Sequence, residues 1–176
     1  MTPEPDQTGS RDLRVIVMGV SGSGKTVTGR ELAAALGATF LDADDFHSPA
    51  NVAKMAAGTP LTDVDRAGWL DDLAARLERH SAVVLACSAL KASYRQRLCA
   101  IRGTRPIILY LDGSFDDIRQ RLEARKGHYF QGLSMLRSQF DTLEPPTPDE
   151  AIPININAPL DAVVHACLQA LTTPPQ

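Results

Sequence analysis

The stretch Gly19-Val20-Ser21-Gly22-Ser23-Gly24-Lys25-Thr26 fills every fixed position of G-x-x-x-x-G-K-[ST], and its flanks suit that motif. Upstream, Leu13 to Met18 is a short apolar, β-branched run that reads as a buried strand. Downstream, Val27 to Leu36 reads as a helix, and Gly37 sits where a helix C-cap glycine belongs. Strand, glycine loop and helix in that order form a phosphate-binding P-loop. Its glycines let successive backbone N–H groups turn inward toward an anion, and the helix N-terminus adds partial positive charge. In such a loop Lys25 reaches the β- and γ-phosphates of a nucleotide, and the Thr26 hydroxyl can coordinate Mg²⁺. Gly19, Ser21, Gly22, Ser23, Gly24, Lys25 and Thr26 are therefore the expected nucleotide-phosphate site.

The rest of the chain suits one domain built around that loop. Its 176 residues are enough for a full-sized core, and a net charge of −3 offers no general attraction to nucleic acid or an anionic membrane. Any anionic ligand must then be held by local placement of cations. Cys87, Cys99 and Cys167 are scattered, with no C-x-x-C, which points to reduced thiols in the cytoplasm rather than a zinc site or disulfide framework. No apolar run reaches membrane-spanning length. The expected organisation is a tail over 1–12, a kinase domain over 13–171 and a second tail over 172–176.

Apolar runs at 15–18, 39–41, 82–86, 106–111 and 152–156 alternate with helical segments at 51–57, 67–79, 89–101, 114–125, 133–143 and 160–171. That alternation predicts an α/β fold with a five-stranded parallel sheet covered on both faces. Ligands bind such sheets beyond the carboxyl ends of the strands. The residues gathered there would be 19–26, 42–47, 87–91, 112–114 and 157–159.

Several of these carry chemistry. Asp42, Asp44 and Asp45 repel one another unless a cation or substrate hydroxyl lies among them. A phosphotransferase needs one acid near Mg²⁺ and another near the attacking hydroxyl, and Asp42 and Asp44 fit those positions. Asp112, ending the fourth apolar run, is the rival acid. Lys91 and Arg95 are one helical turn apart and would share a face near the rim. Arg121, Arg125, Lys126 and His128 cluster around Gly127, so a mobile segment over 125–133 could bring arginine to the phosphates.

With these segments in place, the chain resembles the gluconate kinase family of small P-loop kinases over roughly 14–170. Beyond the P-loop, the resemblance rests on Asp42-Ala43-Asp44 leading to His47, Asn51 and Lys54, and on Leu61, Asp63, Asp65-Arg66 and Trp69-Leu70. Cys87-Ser88-Ala89-Leu90-Lys91 with Tyr94-Arg95, Arg125-Lys126-Gly127-His128, Gln139-Phe140 and Leu143-Glu144-Pro145 complete it. Gly68 stands where the family commonly has proline. The resemblance implies a three-layer P-loop kinase fold like that of nucleoside monophosphate and shikimate kinases, with a lid and a homodimeric assembly. It implies ATP-dependent phosphorylation of D-gluconate to 6-phosphogluconate, with ATP and Mg²⁺ as cofactors. Asp42 and Thr26 would hold the metal, and Asp44 would orient or deprotonate the primary hydroxyl. Arg66, Lys91 and Arg95 would face the sugar carboxylate or the moving phosphoryl group. His47 and His128 would bond sugar hydroxyls, while Arg121, Arg125 and Pro159 would line the nucleotide. Another small-molecule kinase, of shikimate or nucleotides, is the alternative. A GTP-driven switch fits less well, because no Asn-Lys-x-Asp sequence occurs.

Overall fold

Val15 and Val17 join one hydrophobic cluster and Ile16 and Met18 the other, and all four are fully buried. A strand apolar on both faces must be sandwiched, and β1 (Leu13–Met18) lies at the centre of the sheet. In this computed structural model, which describes residues 12–125 and 129–173, β1 pairs in parallel with both β3 (Ala82–Ala86) and β4 (Ile107–Asp112). The outer strands are β2 (Thr39–Asp42), beside β3, and β5 (Ile152–Asn155), beside β4. The strand order is β2-β3-β1-β4-β5, the five-stranded parallel sheet that the alternating pattern predicts.

Seven helices cover it: α1 (Lys25–Leu36), α2 (Pro49–Ala56), α3 (Asp63–Arg79), α4 (Ala92–Cys99), α5 (Phe115–Ala124), α6 (Tyr129–Thr142) and α7 (Leu160–Thr172). Leu32, Ile118, Leu136 and Val163 seat α1, α5, α6 and α7 on the face of Val15 and Val17. Leu70, Leu73, Leu77, Tyr94 and Leu98 seat α3 and α4 on the opposite face. The chain runs out from β1 to β2, returns to β3 and crosses to β4, so its direction reverses beside β1. A ligand crevice belongs at the carboxyl edge of that reversal, where the glycine loop leaves β1. Among the described residues no helix is long and apolar enough to cross a membrane.

Three boundaries depart from the sequence pattern. Helix α3 starts at Asp63 rather than near 67, because Thr62 and Asp65 form a reciprocal capping box. Helix α4 starts at Ala92 rather than 89, since Ala89 takes a left-handed backbone (φ 46°) that no helix tolerates. Helix α6 begins at Tyr129, earlier than the apolar period from 133 suggests. A 3-10 turn at Ala43–Phe46, too short for periodicity to reveal, carries Asp44 and Asp45.

Arg14 is a buried charge with a structural task. Only 4% exposed, it donates to the carbonyls of Leu77, Glu78 and Thr104 and pairs with Asp12. It thereby ties the start of β1 to the end of α3 and to the loop before β4. Arg14→Met should cost about 1–3 kcal/mol, the penalty for orphaned buried acceptors. Thermal unfolding should show the loss as a lower Tm, at roughly 2–4 °C per kcal/mol.

Candidate active site

The glycine loop closes because Gly22 (φ 83°) and Gly24 (φ 95°) adopt left-handed backbone. Gly24 is the N-cap of α1 and supplies no capping side chain, so the first N–H groups of α1 stay open to an anion. The loop borders a cavity of about 230 Å³ lined by Ser21, Gly22, Gly24, Lys25, Thr26, Asp42, Asp44, Ser88 and Arg125, among others. Four segments meet there: the loop after β1, the turn after β2, the loop after β3 and the end of α5.

Lys25 donates to the Val20 carbonyl at 3.0 Å. Burial holds its ammonium below the usual lysine range, while Cys87, Asp44 and Asp42 pull it back up. The Cys87 thiol, pushed up to about 12 by its own burial, stays protonated. Ser23 Oγ is buried with no hydrogen-bond partner. A desolvated ammonium and an orphaned hydroxyl in one glycine loop suit a polyphosphate, which gives both a partner. Thr26 Oγ1 donates to Asp42 Oδ2 at 2.9 Å. These two oxygen ligands are what Mg²⁺ takes from a protein when substrate phosphates complete its shell.

Asp42 also caps the following turn, accepting from the Asp44 amide at 3.1 Å. This frees the Asp44 side chain to project, 89% exposed, at the mouth of the cavity. Asp112 does not line the cavity, and Tyr110 hydrogen-bonds its carboxylate. Beside Asp44, His47 stacks on Trp69 with centroids 4.2 Å apart, and Trp69 Nε1 donates to the Ala43 carbonyl. Trp69 is thus a brace for the 3-10 turn as well as core. Burial holds the His47 imidazole below its usual value, with Asp44 opposing and Arg66 adding to the shift. Its Nδ1 is buried and unpartnered, leaving a hydrogen bond to offer.

The three cations expected at the rim separate. Lys91 is the N-cap of α4, in extended backbone, and its ammonium lies 3.0 Å from Asp63. Arg66 lies over the Tyr94 ring at 5.8 Å and donates to the Leu61 carbonyl at 2.5 Å, with no carboxylate partner among the described residues. Arg95 corrects the expectation that it shares a face with Lys91. It is 2% exposed, and it holds the Ala89 and Leu90 carbonyls and the Glu150 carboxylate. The helical one-turn rule fails because Lys91 precedes the helix. Arg95 therefore braces the strained 88–91 loop and points away from the rim.

On the other side of the phosphate cavity, Arg125 ends α5 and reaches the lining. Arg121 donates to the Ile156 carbonyl, and Asn157 Nδ2 donates to Asp117. They tie α5 to the loop that ends at Pro159, the N-cap of α7. His128 and Lys126, within the expected lid at 125–133, lie outside the described residues.

Two braces enter the sequence reading only through the family resemblance, with no role attached. Gln139 Oε1 on α6 accepts from the Ser21 amide of the glycine loop at 2.6 Å. Glu144 Oε2 accepts from the Ala92 amide, and its own amide donates to the Leu90 carbonyl. Each partner lies more than fifty positions away, beyond any spacing rule.

With this geometry in hand, comparison with known proteins is decisive. A family profile described as an AAA domain matches residues 15–146. A probable gluconokinase of Mus musculus is 44% identical, covering 89% of this chain and 96% of that protein. The chain belongs to the gluconokinase family. The crystal structure of a gluconokinase from Sinorhizobium meliloti 1021 superposes with a TM-score of 0.84 at 38% identity, covering 92% of each chain. A shikimate kinase from Acinetobacter baumannii, solved with shikimate, is 24% identical with a TM-score of 0.56, covering 92% of this chain and 94% of that one. That likeness concerns the fold alone. Both fit the three-layer P-loop kinase architecture seen here.

The gluconokinase fold seen here makes Gln139 a positioning residue for the nucleotide loop. Gln139→Met keeps the length and removes the acceptor, so the KM for ATP should rise about 5- to 10-fold, the cost of roughly one hydrogen bond. The KM for the second substrate should stay within about twofold in the same steady-state titrations.

Proposed function

We propose that the protein transfers the γ-phosphoryl group of ATP to the primary hydroxyl of D-gluconate, giving 6-phosphogluconate and ADP. The observation that carries this reading is one edge of the sheet where a phosphate cavity, a projecting carboxylate and a cation with no close carboxylate partner among the described residues adjoin. Lys25 and the open amides of α1 hold the phosphates, Asp44 stands at the mouth, and Arg66 supplies the cation. The identity to gluconokinases over most of the chain supports gluconate as the sugar acid.

In this reading the primary oxygen of gluconate attacks the γ-phosphorus, forming one O–P bond as the bond to the ADP oxygen breaks. Asp44 orients the hydroxyl and takes its proton. Lys25 and Arg125 stabilise charge on the equatorial oxygens. Thr26 and Asp42 would hold Mg²⁺, which when bound neutralises phosphate charge. His47, with its unpartnered Nδ1, bonds a sugar hydroxyl, and Arg66 meets the carboxylate, with Lys91 nearby. The family expectation of a cytoplasmic homodimer belongs to this proposal, and analytical ultracentrifugation checks the oligomeric state.

A coupled assay with ATP and a panel of gluconate, glucose, shikimate and nucleoside monophosphates tests the substrate. Gluconate should be turned over strongly and glucose poorly, because a site built for a carboxylate leaves its cation unpaired without one. Equal kcat/KM for glucose and gluconate would end the carboxylate argument.

Asp44→Asn should slow the chemical step by about 10²- to 10⁴-fold, the range for a positioned acid–base group, with little change in ATP affinity. Single-turnover kinetics separate the two effects. Should Asp112→Asn prove far more damaging, the essential acid lies on β4 instead.

A further inference from the structure

The strand beside β1 ends without an acid. Val84 of β3 belongs to the cluster that seats α1, while Leu85, Cys87 and Ala89 belong to the opposite one. The Cys87 amide still donates to the Val17 carbonyl, so pairing with β1 runs one residue past β3. Alternation then puts Val84, Ala86 and Ser88 on the α1 side. A Cβ on Gly29 of α1 would lie 3.8 Å from the Ala86 Cβ. From Ala86 to Ser88 the chain advances about 6.6 Å toward the carboxyl edge. From Gly29 back to Lys25 the returning helix covers about 6 Å in the same direction. Ser88 therefore stands over the first turn of α1, and it lines the phosphate cavity together with Lys25 and Thr26.

Ser88 is half-buried, and its hydroxyl has no hydrogen-bond partner among the described residues. The segment that presents it is nonetheless fixed. The Ala89 amide donates to the Cys87 sulfur, Arg95 holds the Ala89 and Leu90 carbonyls, and the Glu144 amide holds the Leu90 carbonyl again. Strained backbone such as that of Ala89 persists only where its surroundings over-determine it. What this strained and braced turn delivers to the cavity is one unpaired hydroxyl. Many P-loop proteins place an acid for Mg²⁺ at the end of such a strand. Here Asp42, at the end of β2, already bonds Thr26. A carboxylate on β3 would only accept hydrogen bonds, whereas a neutral hydroxyl donates to a phosphate oxygen directly.

We infer that Ser88 is a further substrate-binding residue: its hydroxyl donates to an oxygen of the γ-phosphoryl group and holds that group over the first turn of α1. The glycine-loop amides cradle the inner phosphates, whereas a donor from the neighbouring strand meets the far end of the triphosphate. Ser88 thereby helps the site tell ATP from ADP. The inference deepens the nucleotide half of the proposed reaction and rests on that reading.

Ser88→Ala removes the hydroxyl and Ser88→Thr keeps it. Calorimetry on the full chain at saturating Mg²⁺ compares ADP with a non-hydrolysable ATP analogue, so the measurement needs neither turnover nor gluconate. Ser88→Ala should weaken the analogue roughly 5- to 20-fold, the cost of one charge-assisted hydrogen bond partly replaced by water. ADP affinity should stay within about twofold, and Tm within about 2 °C, as for a side chain that bonds nothing in the free protein. Ser88→Thr should bring the ratio of analogue to ADP affinity back to within about threefold of wild type. Equal weakening of both nucleotides would mean a displaced loop and would overturn the inference. So would unchanged affinity for both, failure of threonine to restore the ratio, or a rise confined to the Mg²⁺ concentration needed for binding, which would assign the hydroxyl to the metal's shell. Wild type that binds neither nucleotide would overturn the inference together with the ATP reading. Wild type that fails to phosphorylate gluconate, with the analogue-selective loss intact, would remove only the sugar reading and leave Ser88 assigned.

Discussion

A lysine ammonium taken out of water governs the arrangement of this site. Among the described residues Lys25 has one hydrogen-bond acceptor, the Val20 carbonyl, and its burial penalises the charge it must carry. Asp42 and Asp44 offset part of that penalty through space, so the acids after β2 are needed before any ligand arrives. Asp42 then serves three neighbours at once. It steadies the ammonium, accepts from Thr26 and caps the turn that projects Asp44. The glycine loop, β2 and the 3-10 turn are consequently one electrostatic unit, although the sequence separates them by a helix.

The P-loop, the central strand and the order of elements were legible because each is a local pattern. The glycine spacing, the apolar runs and the helical period need only neighbouring residues to be recognised. Asp42 and Asp44 were legible too, as acids at a strand end. The rim cations were less so. Lys91 and Arg95 read as one helix face, but Ala89 takes a backbone conformation that delays the helix, and the two side chains diverge. Asp63 read only as one residue of the family resemblance, because its partners Lys91 and Tyr94 lie beyond β3 in the chain.

The loop after β3 shows how strain is held in place. Ala89 sits at φ 46°, an arrangement that costs of order 1 kcal/mol or more for a residue with a Cβ. Arg95 clamps its carbonyl and that of Leu90 from beneath, and Glu144 binds the Leu90 carbonyl and the Ala92 amide. Four hydrogen bonds from Arg95 and Glu144 thus fix a short segment that delivers Ser88 to the phosphate cavity and Lys91 to Asp63. A buried arginine spent on carbonyls makes sense here, since a guanidinium can hold two acceptors in a fixed plane while a flexible ammonium cannot.

The bond from Gln139 to Ser21 spans 118 positions, and this fixes an order of events during synthesis. The glycine loop leaves the ribosome well before α6, followed at once by α1. Its strand β1 stays without neighbours until β3 and β4 emerge, and the loop itself lacks a brace until α6 does. A nascent chain stopped short of α6 therefore carries the whole phosphate-binding sequence without the finished phosphate-binding shape. Nucleotide therefore binds the growing chain at full strength only after α6 has emerged.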